Sequence, residues 1–332
     1  MKELDQPRFR AKQLIQWIYG KGETSFDRMT NLPSSLRSKL AETSPLDIPE
    51  VVERRVSRDG SRKYVLKFAD GALTETVGIP SRDSNKQGEA RRLSVCFSTQ
   101  VGCSMACAFC ATGKEGFTRN LLPGEIVQQV LCVQRDFDSR VSNAVAMGQG
   151  EPFLNYDNLI AALHILNDPQ GLNIGARHIT VSTCGIPSGI AAFAREPEQF
   201  TLALSLHSAV QETRDLLMPR VAGENCEALR ADLRTYYEVC GRRVSLEYLL
   251  ISKLNDTDKH LDALISFCRG LHVHINLLPL NDVEGSSFKP SDSRTVNRWM
   301  ERLARAGVET SLRDSRGSDI DGACGQLKST LN

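Results

Sequence analysis

The chain has 332 residues, 41% apolar and 24% charged, with 41 basic against 40 acidic side chains and a net charge of +1. This composition excludes a disordered or collagen-like chain, and no apolar run approaches the ~20 residues needed to span a membrane. Near-neutrality leaves a nucleic-acid partner open, because a local basic patch can act inside a neutral total. Ten cysteines behind an N-terminus without the apolar stretch of a secretory signal predict a reducing, cytoplasmic setting and not a disulfide scaffold.

Residues 1–45 read as a small helical module. Phe9, Leu14, Trp17 and Ile18 recur at helical spacing, with Gly20 and Gly22 as stops, and a second helix starts near Pro33 and runs through Leu36 and Leu40. Arg8, Arg10, Lys12, Lys21, Arg28, Arg37 and Lys39 make its exposed side basic. Such a face can grip phosphates, although a merely solvated helix face is the commoner case. Residues 46–92 form an extension: β-type runs at 51–52, 64–68 and 73–77 are separated by Asp59-Gly60 and Asp70-Gly71, the signature of a three-stranded meander. A polar stretch, 81–92, follows.

From Leu93 to 332 strands alternate with helices. Strands are expected near 93–99, 143–148, 178–183, 200–206, 244–251, 272–279 and 308–313, and helices near 123–137, 156–167, 187–194, 226–240, 258–270 and 290–306. The fold class is therefore α/β, a parallel sheet of about six βα units forming an open or partial barrel. Functional groups then gather at the C-terminal ends of the strands. Those ends carry Gly148-Gln149-Gly150-Glu151, Ser182-Thr183-Cys184-Gly185, Ser205-Leu206-His207 and Asn281. Taken singly, each has an ordinary structural explanation; their shared position is what suggests a ligand cavity.

Just past the first of these strands, Cys103, Cys107 and Cys110 lie within thirteen residues bounded by Val101 and Gly113. Soft thiolates so spaced select zinc, copper(I) or an iron–sulfur cluster. The CxxxCxxC spacing, with Phe109 before the last cysteine, resembles the signature of radical S-adenosylmethionine enzymes. There, three cysteines hold a [4Fe-4S] cluster whose fourth iron is chelated by S-adenosylmethionine.

The resemblance extends from Phe9-Arg10-Ala11-Lys12-Gln13 to Asp319-Ile320-Asp321-Gly322-Ala323-Cys324-Gly325-Gln326-Leu327, and over this span the chain is similar to the RlmN/Cfr family of radical S-adenosylmethionine RNA methyltransferases. The resemblance implies a partial (β/α)6-type barrel with a small N-terminal helical domain. It makes Cys103, Cys107 and Cys110 the cluster ligands, and Gly150, Glu151, Ser182, Ser205, Leu206, His207 and Asn281 the S-adenosylmethionine contacts. Glu75 falls where the family has an acid assigned as proton acceptor.

In the family scheme Cys324 is methylated by one S-adenosylmethionine. A 5′-deoxyadenosyl radical from a second then takes hydrogen from that methyl, and the carbon radical adds to adenine. Cys96 removes the ring proton and pairs with Cys324 as a disulfide. Direct transfer would fail at C2, an sp2 carbon of little nucleophilicity, so the hard chemistry is left to a cofactor.

The implied substrates are 23S rRNA and tRNA, with C2 of adenosine preferred over C8 as the target. A flavodoxin- or ferredoxin-type electron donor and a monomeric enzyme are expected. Arg91, Arg92, Lys114 and Arg119 are candidate RNA contacts. The remaining cysteines, 132, 184, 226, 240 and 268, read as packing residues, with Cys184 nearest the mouth. Gln149 stands where methionine is usual and Gly322 where alanine is commoner, the latter predicting a more mobile Cys324 loop. A competing reading makes the chain a non-catalytic RNA-binding protein with a structural zinc.

Overall fold

The computed structural model describes residues 1, 4–83 and 92–328. The N-terminal segment contains α1 (Phe9–Ile15) and α2 (Ser34–Thr43). Leu14, Trp17 and Ile18 pack with Phe26, Met29, Leu32, Leu36 and Leu40 into a cluster separate from the main core. Phe9, expected on that face, is exposed.

The meander follows as β1 (Glu50–Val56), β2 (Arg62–Lys67) and β3 (Leu73–Pro80). The turn glycines, Gly60 and Gly71, take φ +86° and +84°. β3 pairs antiparallel with β4 (Leu93–Phe97), so the meander is continuous with the main sheet. The hairpin ribbon β5 (Gln100–Gly102) and β6 (Phe117–Asn120) comes next in the chain, with α3 (Ala111–Glu115) inside its loop. The helices α4 (Pro123–Phe137), α5 (Tyr156–Asn167), α6 (Pro187–Phe193), α7 (Gln211–Leu217), α8 (Cys226–Cys240), α9 (Asp258–Cys268) and α10 (Ser293–Arg305) alternate with the strands β7 (Asn143–Ala146), β8 (Ile179–Thr183), β9 (Thr201–Ser205), β10 (Val244–Leu250), β11 (Val273–Pro279) and β12 (Thr310–Leu312).

The sheet order is β1-β2-β3-β4-β7-β8-β9-β10-β11-β12, parallel from β4 onward. The expected strands and the long helices are present within a few residues; α3, α7 and the β5–β6 ribbon are additions that no periodic pattern announced.

The sheet must curl. In a flat sheet β12 and β2 would be about 38 Å apart, at eight spacings of about 4.8 Å. Yet Arg316, four residues and thus at most ~14 Å of chain beyond Leu312, bonds Asp59 in the β1–β2 turn at 2.9 Å. The chain leaving the last strand therefore crosses to the first hairpin, giving a partial barrel closed by its C-terminal segment. Fully buried strand residues such as Val95, Val181, Leu202 and Leu246 share one core with Val130, Leu163, Phe193 and Trp299 of the surrounding helices.

Candidate active site

The cysteine loop is the closed end of the β5–β6 ribbon. Gly102 takes φ +73°, and a Cβ there would lie 2.1 Å from the Gly116 carbonyl oxygen. That carbonyl accepts the Cys103 N–H at 2.7 Å. Ala106 adopts φ +51°, a left-handed conformation rarely taken without glycine. Two further bonds pin the loop: Ala108 N–H to the Leu217 carbonyl at 2.9 Å and Ala111 N–H to the Gly325 carbonyl at 2.7 Å. We expect Gly102→Ala to break the ribbon, combining a clash with backbone strain of about 1–3 kcal/mol. Iron bound after anaerobic reconstitution should fall well below the wild-type content, while far-UV circular dichroism stays near wild type.

Cys103, Cys107 and Cys110 line one cavity of about 1140 Å³, counted to its open mouth. Burial pushes the Cys103 thiol up to about 11 and Cys107 higher still, and the neighbouring thiols add to both shifts. Three thiolates would coexist here only with a cation to hold. A single tetrahedral zinc needs sulfurs about 3.8 Å apart, from Zn–S bonds of ~2.3 Å. Among the described residues the one trio of metal-type donors gathered within 4.8 Å is His164, Glu196 and Glu198, remote from this cavity. The three loop sulfurs are spread more widely, which suits a multi-iron cluster better than a mononuclear ion.

The strand ends supply the opposite wall. Gly150, Glu151, Ser182, Ser205, His207 and Asn281 all line this cavity. Glu151 is 3% exposed and ties β7 to β8: its carboxylate accepts from Thr183 Oγ1 at 2.7 Å, Phe153 N–H at 3.1 Å and Cys184 N–H at 2.8 Å. A carboxylate offers about four acceptor positions, so one remains for a ligand. Ser182 and Ser205 face each other at 3.3 Å. His207 adopts φ +53° and accepts the Leu249 N–H on Nδ1 at 3.1 Å. Burial pushes its pKa down to about 3, with the Arg214 charge adding to the shift. The ring is therefore neutral, with its proton on Nε2, and Phe109 packs edge-on to it at 4.6 Å.

Leu206 is fully buried and does not line this cavity. Its main chain bonds Glu247 and Arg214 instead. Cys184 lines the cavity and lies 3.2 Å from the Met105 sulfur, so it belongs to the site and not to remote packing. Glu247, which sequence reasoning missed, is buried on the same wall and accepts from Ser245 Oγ and Asn276 Nδ2, each at 2.8 Å. Its position inside a regular strand run hid it.

A second cavity adjoins the first, and Met147, Leu278, Asn281, Arg313, Cys324 and Leu327 line both. Cys96, 228 positions before Cys324, lines the second. The fold thus brings the two thiols to one chamber. Burial raises the Cys96 pKa strongly and the charge of Cys324 adds to it. All ten cysteines are free thiols, so the disulfide implied between Cys96 and Cys324 is not formed in this structure.

Cys324 sits on a loop clamped from several sides. Asp59 Oδ2 accepts from Arg316 Nε and Gly317 N–H, each at 2.9 Å, and Asp319 accepts from Ser57 Oγ at 2.6 Å. Leu327 accepts from Thr112 Oγ1 at 2.7 Å, and Asn281 Nδ2 donates to the Cys324 carbonyl at 3.1 Å. Gly322, expected to loosen the loop, has space for a Cβ only at 3.2 Å from the Gly317 carbonyl oxygen. Glu75 lines neither cavity: it is 2% exposed, pairs with Lys63 at 3.0 Å and accepts the Lys328 N–H at 2.7 Å. In this position it fastens the chain just after the Cys324 loop.

Burial alone would raise the Asp59 carboxyl, but the N–H groups of Ser61 and Gly317 hold it well below the usual carboxylate range. A depressed carboxyl contributes stability fully above its unfolded value near 3.9 and loses it as the pH falls below. Asp59→Ala is expected to slow turnover at neutral pH about 10-fold or more while leaving iron content unchanged, through misplacement of Cys324; parallel iron and single-turnover assays check it.

The candidate RNA contacts fare unequally. Arg91 lies outside the described residues, and Arg92 lines the second cavity. Lys114 bonds the Glu284 carbonyl. Arg119 is committed to Glu125 at 2.8 Å and Asp70 at 2.6 Å, so its charge is already matched. Arg177 and Arg313 also line the second cavity. Gln149, the departure from methionine, is buried and accepts from Thr74 Oγ1 at 2.9 Å and Glu75 N–H at 3.0 Å, which ties the strand-end loop to β3.

A curled parallel sheet with three cysteines beyond its first strand and polar groups at successive strand ends defines a radical S-adenosylmethionine protein. Residues 97–265 match the profile described as the radical SAM superfamily, and residues 1–46 match that of the ribosomal RNA large subunit methyltransferase N-terminal domain. Two relatives carry the name "Probable dual-specificity RNA methyltransferase RlmN". The protein from Clostridium novyi (strain NT) is 42% identical, over 99% of this chain and 94% of its own length. That from Nostoc punctiforme (strain ATCC 29133 / PCC 73102) is 43% identical, over 100% and 90%. The crystal structure of a radical SAM methyltransferase from Sphaerobacter thermophilus superposes with a TM-score of 0.92 at 40% identity, covering 98% of this chain and 94% of that one. Streptococcus suis SuiB bound to S-adenosylmethionine shares the fold, with a TM-score of 0.50 at 14% identity over 68% of this chain and 52% of that one.

The chain belongs to the RlmN family of radical S-adenosylmethionine RNA methyltransferases. No helix among the described residues is long and apolar enough to cross a membrane.

Proposed function

We propose that this protein transfers a methyl group to C2 of an adenosine in 23S rRNA, and in tRNA, using Cys324 as the methyl carrier. The observation that carries the reading is the position of Cys324 on the shared wall of two cavities, one holding the cysteine loop and the strand-end groups, the other holding Cys96. A carrier thiol needs access to a methyl donor on one side and an acceptor base on the other.

Cys103, Cys107 and Cys110 would hold a [4Fe-4S] cluster, and Gly150, Glu151, Ser182, Ser205, His207 and Asn281 would surround S-adenosylmethionine, with Leu206 contributing through its main chain. Together these groups supply one-electron chemistry able to activate a methyl that is otherwise unreactive toward an sp2 carbon. Glu151 offers an acceptor for the methionyl ammonium, and Ser182 and Ser205 offer hydroxyls to ribose. Cys324 carries the methyl. Cys96, in the same chamber as the base, would take up the ring proton as a thiolate; burial holds it as the thiol at rest, so its own proton must first leave to solvent. Glu75 remains a candidate proton acceptor only if the Lys328 segment moves away from it.

The base would have to leave its stack to enter the second cavity, with Arg92, Arg177 and Arg313 meeting the backbone. A low-potential one-electron donor of the flavodoxin or ferredoxin class completes the system, in the cytoplasm.

The test is anaerobic reconstitution, incubation with 23S rRNA fragments and tRNA, and mass spectrometry of the nucleosides. We expect 2-methyladenosine in both RNAs. 8-Methyladenosine would move the assignment to the other carbon, and a colourless, zinc-loaded protein without activity would overturn it.

A further inference from the structure

Arg214, on α7, is fully buried. Its guanidinium meets no carboxylate among the described residues. Nη1 donates to the carbonyls of Ser205 at 3.0 Å and Leu206 at 2.7 Å and lies 3.3 Å from the Met218 sulfur; Nη2 donates to the Cys184 carbonyl at 2.5 Å. Nε has no partner. A buried cation left without a counter-charge costs several kcal/mol, and carbonyl dipoles alone could be satisfied by a neutral donor. The missing anion must lie close by.

The surroundings identify it. Cys184, Ser205 and Met218 line the first cavity, so the guanidinium lies directly behind that wall. Cys107 packs in the same apolar cluster as Cys184, Leu217 and Met218. The N–H of Ala108, inside the cysteine triplet, is bonded to Leu217 on the arginine's own helix at 2.9 Å. Among the described residues two carboxylates line this cavity, Glu151 and Glu247; the first is bound by Thr183, Phe153 and Cys184, the second by Ser245 and Asn276, and neither bonds the guanidinium.

We propose that Arg214 is a positioning residue that serves as the buried counter-cation of the cluster and holds its reduction potential up. This rests on the cluster reading of Cys103, Cys107 and Cys110. Three thiolates outweigh the charge of a cubane core and leave a net negative unit, and one-electron reduction adds another. A fixed cation in a low-dielectric wall favours the more negative state. The electron comes from an external low-potential donor, and no bond in the chain forms or breaks.

The experiment compares wild type, Arg214→Met and Arg214→Lys after anaerobic reconstitution, by iron content and by redox titration against dithionite-poised mediators followed by electron paramagnetic resonance. All three should bind about four irons per chain. At a fixed donor potential Arg214→Met should show a reduced-to-oxidised ratio at least tenfold lower, a shift of ~59 mV for one electron, whereas Arg214→Lys should stay within about threefold of wild type by retaining the charge. Without the cluster, Arg214→Met should melt no lower than wild type, because the unmatched charge is gone.

An unchanged ratio in the methionine variant would overturn the proposal. So would a lysine variant that falls as far as methionine, or a methionine variant that does not fold without the cluster, since each assigns the guanidinium to its carbonyl bonds. If wild type itself binds no iron, the reading of the cysteine loop fails instead.

Discussion

Cys324→Ala is expected to abolish RNA methylation, by on the order of 10⁴-fold or more, as removal of a covalent carrier does, and to leave iron content and S-adenosylmethionine binding unchanged. The side chain is exposed to the cavities and makes no side-chain hydrogen bond among the described residues, so stability should move by no more than about 0.5 kcal/mol. The loop's clamps are main-chain contacts and the side chains of Asp59, Asn281, Thr112 and Asp319, none of which the substitution touches. Single-turnover assays with mass spectrometry of the protein check both halves: wild type should gain a methyl on the peptide containing Cys324, and the variant should gain none. Methylated RNA from the alanine variant would remove the carrier role.

The second large effect is at Glu151. Glu151→Ala would leave two buried N–H groups, those of Phe153 and Cys184, and the Thr183 hydroxyl without their acceptor. At ~1–3 kcal/mol for each unsatisfied group, partly relieved by water entering the adjoining cavity, the cost is about 2–5 kcal/mol. Glu151→Gln keeps one acceptor oxygen but sets an amide N–H₂ against the Cys184 N–H or the other donors, costing about 1–3 kcal/mol. It also removes the negative charge offered to an ammonium. We expect S-adenosylmethionine affinity of the cluster-loaded Gln variant to fall by more than 10-fold with iron retained. Equilibrium dialysis and denaturant melts measure the two effects separately, and unchanged affinity would mean that the carboxylate serves only to join β7 to β8.

Local patterns carried the fold far. The strands from Leu93 onward, the helices at 123–137, 156–167 and 226–240, and the Asp-Gly turns of the meander lie where period and turn chemistry place them, because side-chain alternation and positive-φ glycine are properties of neighbouring residues. The cysteine triplet was legible for the same reason: its spacing is its signal. Short α3 was not legible, since five residues contain too few turns to show a period.

What the sequence by itself determined is the order of strands and helices and the residue types available at each strand end. What only the tertiary structure decided is which of those groups are free. Arg119 is matched by Asp70, 49 positions away, and Glu75 is locked to Lys63 and Lys328. Arg214 is left without a carboxylate partner among the described residues, and Cys324 is carried back to the chamber of Cys96 by the Arg316–Asp59 contact. Charge pairing and cavity walls depend on distances through space, and a curled sheet sets these independently of separation along the chain.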